Sequence, residues 1–127
     1  MIKTVNLPGG AQAAIFPSAI VVYNYADGGE AELSQIISAH PGQAVIFLAT
    51  RFDKAVFSQA ENTMRTFIFL DADGLKARVD PTYPAQWVSP GDFIPALPGN
   101  ISIEATPAGF IVSSIAPDPT ETHTFAN

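Results

Sequence analysis

The chain contains no cysteine, which excludes disulfides, thiolate metal sites and a cysteine nucleophile outright. Charge is scarce as well. Only 14% of the 127 residues are charged, well below the usual quarter, so much of the surface must be Ala, Ser, Thr, Gln, Pro and backbone. Six basic residues stand against twelve acidic ones, for a net charge of −6. Lys3, Arg51, Lys54, Arg65, Lys76 and Arg78 are scattered and never form a run. Nucleic acid binding relies on clustered Lys and Arg displacing counterions from phosphates, so it is disfavoured. Binding to an anionic membrane is disfavoured for the same reason. Long apolar runs are also missing. The N-terminal stretch is interrupted at Asn6, Pro8, Gly9 and Gly10, which argues against an export signal. Ala19 to Tyr25 is too short to span a bilayer. The expectation is a protein made in the cytoplasm without a signal peptide.

What is present is a hydrophobic fraction of 47%, enough for one core, and the length suits a single domain over residues 1–127. The clearest signal is Arg65 to Val79, RTFIFLDADGLKARV. The apolar run Phe67–Leu70, a break at Asp71-Ala72-Asp73-Gly74, and alternating Leu75, Ala77 and Val79 together predict a β-hairpin. Ile2 to Leu7 reads as an edge strand or an arm, ended by Pro8-Gly9-Gly10. Ala11 to Phe16 is extended, and Ala19 to Tyr25, β-branched and aromatic, reads as a strand. Glu30 to Ala39 is the best helix, with Leu33, Ile36 and Ile37 at helical spacing, although alternation of Leu33, Gln35 and Ile37 also permits a strand. Gln43 to Thr50 is a continuous apolar run, read as a buried strand. Arg51 to Asn62 fits neither period cleanly.

After Asp80 prolines recur every few residues, which forbids a helix and a central strand. Residues 80–100 nevertheless carry Tyr83, Trp87, Phe93 and Leu97, so they are expected to form an ordered loop laid across the body. Ile101 to Ile115 predicts a second hairpin turning at Thr106-Pro107-Ala108-Gly109, with Ile101, Ile103 and Ala105 opposite Ser102 and Glu104. Residues 116–127 are polar and Pro-containing, and are expected to form a loose or partner-bound arm. The fold expected is mainly β: a single-domain β-sandwich or small β-barrel, with at most one or two short helices and extended terminal arms.

Chemistry has few carriers. Asp71 and Asp73 before Gly74 give a weak calcium option, but the further ligand positions of such a loop hold Leu75, Lys76 and Arg78. Asp-Gly in a hairpin has its own reason, since glycine accepts positive φ without steric cost. The turn is therefore preferred, and no metal or other cofactor is expected. His40 and His123 are far apart in sequence and show no zinc spacing. No serine sits in a nucleophile elbow, and no phosphate-cradling glycine motif occurs. Asp53, Glu61, Asp92 and Glu104 stay formally available as spatially paired acids; nothing requires that use, and no enzyme activity is expected.

In size, acidity, lack of cysteine and β-rich texture the chain resembles small bacteriophage virion proteins of the head-decoration (cement) kind. The resemblance is one of overall character and rests on no motif. It implies a structural protein in the virion, self-associating, often as a trimer, and bound to a capsid lattice through loops and terminal arms. Tyr83, Trp87, Phe93 and Phe125 are the expected partner-binding residues. The alternative is a carbohydrate- or protein-binding β-sandwich module using Tyr83, Trp87 and Phe93, whose rings can stack on sugars or on a partner.

Overall fold

The computed structural model describes residues 2–25, 30–48, 67–70, 76–78, 93–97, 99–114 and 121–126. They form two sheets and one helix. The first sheet has six strands in sequence order: β1 (Lys3–Asn6), β2 (Gln12–Ile15), β3 (Ala19–Tyr23), β4 (Ala44–Leu48), β5 (Phe67–Leu70) and β6 (Lys76–Arg78). The second has four, in the order β10 (Glu121–Ala126), β9 (Gly109–Ser114), β8 (Ile101–Thr106) and β7 (Phe93–Leu97). Among the described residues neither sheet closes into a barrel, and the architecture is a small sandwich.

The first sheet is mixed. β1, β2 and β3 pair antiparallel, β3–β4 and β4–β5 pair parallel, and β6 returns antiparallel to β5. The helix α1 (Glu30–Ala39) connects β3 to β4. Parallel neighbours need a crossover, usually helical, and that crossover covers one face of the sheet. Leu33 and Ile37, one turn apart on α1, pack with Ile20, Val22, Val45 and Phe47. The alternate residues of the same strands, Ala19, Val21, Ile46 and Leu48, pack with Ile101, Ile103, Val112 and Phe125 of the second sheet. β3 and β4 are therefore buried on both sides, and so AIVVY and AVIFL read as unbroken hydrophobic runs without alternation.

A side-chain clamp joins the layers at one end. Ser18, just before β3, donates its hydroxyl to the carbonyl of Gly99, between β7 and β8. The Ser18 carbonyl in turn accepts the Ala44 N–H at 3.4 Å. Gly99 sits at φ +81°, and a Cβ there would lie 2.7 Å from the Ser18 oxygen. Both the backbone conformation and the close approach select glycine.

Several expectations hold. Glu30–Ala39 is a helix, Ile2–Leu7 contains an edge strand, Ala19–Tyr25 and Gln43–Thr50 contain strands, and both hairpins pair antiparallel. Two need correction. Phe93–Leu97, expected within a loop, is the strand β7. It lies at the edge of its sheet and carries Pro95 inside a register shift between Ile94 and Leu97, a position where a missing N–H is tolerated. Glu121–Ala126, expected within an arm, pairs with β9 along its whole length. Of the two readings of Ile2–Leu7, edge strand or arm, the structure takes the strand, β1. Ser102, on the side of β8 opposite Ile101 and Ile103 as expected, is itself only 7% exposed. The calcium option at Asp71 and Asp73 and the ambiguous Arg51–Asn62 fall outside the described residues.

Candidate interaction surface

The C-terminal strand shows how a polar-looking segment becomes structure. Along ETHTFA the burial alternates: Thr122, Thr124 and Ala126 are exposed, Glu121 and His123 are half-buried and Phe125 is buried. Facing residues in the sheet share a side, so Phe125 opposite Phe110 and His123 opposite Val112 look into the sandwich. Phe125 is 1% exposed. Its ring stacks on Tyr23 of β3 at 5.0 Å and meets His123 edge-on at 4.6 Å, while Tyr23 also meets Phe110 at 6.1 Å. The Tyr23 hydroxyl donates to the Ala126 carbonyl at 3.3 Å. Phe125, expected at a partner surface, is thus a core residue that fastens β10 to the sandwich. Desolvation is the physical reason, because an isolated aromatic gains most by leaving water.

Partial burial has a second consequence. The His123 Nε2 is buried without a hydrogen-bond partner, and burial pushes the imidazole pKa below its ordinary 6.5.

The opposite side of the second sheet is rich in hydroxyls. Ser113 and Thr122 are register partners, and their hydroxyls lie 3.1 Å apart. Beside them, Thr124 faces Ile111, and Ala126 faces Gly109. Gly109 is required where it stands. Its φ is +144°, and a Cβ would come within 1.9 Å of the Phe125 carbonyl.

A groove of about 250 Å³ opens between α1 and the outer strands of the first sheet. Its lining includes the apolar Val5, Ile15 and Ile36 and the polar Lys3, Glu32 and His40.

Of the residues expected to bind partners, Tyr83 and Trp87 lie outside the described residues. Phe93 begins β7, opposite Glu104. Among the described residues no cluster of three or more His, Cys, Asp or Glu could hold a metal, and no helix is long and apolar enough to cross a membrane. The feature that sequence reasoning missed is the edge made by β10. Its signal was the period-two pattern Thr-His-Thr-Phe, which composition alone hides behind the neighbouring Pro117 and Pro119.

No protein-family model matches the chain, and no curated protein and no solved structure matches it.

Proposed function

We propose that this chain is a non-enzymatic structural protein that works by assembling with other protein surfaces, in the manner of phage head-decoration (cement) proteins and other small virion proteins. The observation that carries this reading is that, among the described residues, the sandwich is open and β1 and β10 are outermost in their respective sheets. An exposed strand edge presents unpaired backbone donors and acceptors, and a neighbouring chain can satisfy them by strand addition. The low charge and hydroxyl-rich face of the second sheet suit close packing against protein better than ionic recognition. A lattice-binding role also places the protein in the virion, in contact with capsid and with its own copies.

The test is solution mass across concentration, by sedimentation velocity or light scattering. The reading expects the 13.4 kDa chain to give way to larger species as concentration rises. A single 13.4 kDa species at every concentration overturns it.

A further inference from the structure

Among the described residues the four sheet edges are not alike. β1 is four residues long, begins with an exposed lysine, Lys3, and is followed by Pro8. β6 is three residues long, and two of them are Lys76 and Arg78. β7 carries Pro95 and a register shift. Short length, basic residues, proline and irregular register are the devices that keep sheet edges from pairing with other chains. Apart from the single charge of Glu121 at its first position, β10 has no such device. It runs six residues, ETHTFA, without Lys, Arg or Pro, and its register with β9 is unbroken from Glu121 to Ala126. Among the described residues it is also an outermost strand.

Resting on the assembly reading above, we propose that β10 is the edge at which a second copy of this chain adds. Two β10 strands pair antiparallel about a two-fold axis and join the two four-stranded sheets into one. The inward–outward alternation restricts the register. Directly opposed residues must point to the same side of a sheet, which excludes one-residue slips, and the two allowed registers that pair most of the six residues place His123 or Thr124 opposite its own copy. In both registers the only acid of the strand, Glu121, avoids its counterpart, and no like charges oppose one another. Thr122 and Thr124 continue the hydroxyl-bearing face across the junction. The Phe125 side chains stay inside their own sandwiches, where the stack on Tyr23 already holds them. The strand is therefore held at a fixed position before pairing, and association does not have to order a free tail. The same patch serves both copies, so the contact closes as a dimer.

The test compares the full chain with two variants by sedimentation velocity, from about 1 μM to about 500 μM, which spans the affinities of reversible dimers. T122K/T124K places exposed lysines at the junction, where like charges face across strands; T4K places one on the exposed face of β1. A reversible wild-type dimer, unchanged in T4K and weakened about tenfold or more in T122K/T124K, bears out the proposal. The single variant T124K repeats the test without touching the Ser113–Thr122 contact, and thermal unfolding in dilute solution verifies that each variant is folded. If the wild type dimerises and the β10 variants dimerise equally well, β10 is not the contact, while the assembly reading stands. A trimer, or loss of association in T4K, also overturns the β10 pairing. A wild type that stays monomeric throughout removes both.

Discussion

Replacing Phe125 with alanine separates a docked strand from a loose tail. In a loose tail the change is a surface substitution, worth no more than about 0.5 kcal/mol. In the structure the ring is 1% exposed, packed among Val21, Ile103 and Val112, stacked on Tyr23 and touching His123. Truncating a buried phenylalanine costs roughly 3–5 kcal/mol from lost transfer energy and the cavity left behind. Roughly 0.5–1.5 kcal/mol of such a loss is attributable to a well-placed aromatic pair. Against a total stability on the order of 5–15 kcal/mol, a large share of the fold rests on one residue near the end of the chain. Urea titration of F125A and wild type at one low, fixed concentration measures the difference without a contribution from association. The thermal midpoint should fall on the order of 10–20 °C. T124A, altered on the exposed side of the same strand, should stay within about 0.5 kcal/mol of wild type. If F125A is as stable as T124A, β10 is not packed as described and the account of the C-terminus fails.

Three further outcomes follow from local geometry. G109A should destabilise by more than about 2 kcal/mol, because a Cβ at φ +144° meets the Phe125 carbonyl; faster proteolysis within residues 121–126 should accompany it, and a neutral G109A contradicts the close approach. L33A, at a helix position with 0% exposure, should lose about 2–5 kcal/mol in urea unfolding, while E32A on the exposed side changes little. The pKa of His123, depressed by burial, makes the unfolded chain the tighter proton binder. Stability contributed by the neutral ring is complete above 6.5 and declines as pH falls from there toward the folded-state value. H123Q should therefore flatten the pH dependence of unfolding below pH 6.5, and an unchanged slope assigns it to other groups.

The sequence was most legible where local rules and packing agree. The hairpin β8–β9 turns at Pro107-Ala108, as turn chemistry requires, and Thr106 supports it by accepting the Ala108 N–H at 3.2 Å. Helix α1 has the expected bounds because Pro41-Gly42 ends it and Leu33 and Ile37 share its buried side. The parallel core was illegible for the opposite reason. A strand covered by a helix on one side and a sheet on the other loses its alternation, so β3 and β4 declare themselves as buried but not as parallel. The crossover could have been inferred from two such runs flanking one helix. In β7, Pro95 suppressed the strand reading because proline excludes central strands, yet β7 is an edge. In β10, polar composition masks the alternation that puts Phe125 on the inward side together with its period-two partners Glu121 and His123. The interaction surface was the least legible part, because an edge is a property of the whole sheet and of what its other strands do.

Hydrogen–deuterium exchange at low and high protein concentration tests most directly whether this chain works through the edge of its C-terminal strand. The account predicts that amides within Glu121–Ala126 become better protected as concentration rises, while those of β1 and β6 keep their rates. Exchange across β10 that is the same at every concentration contradicts it.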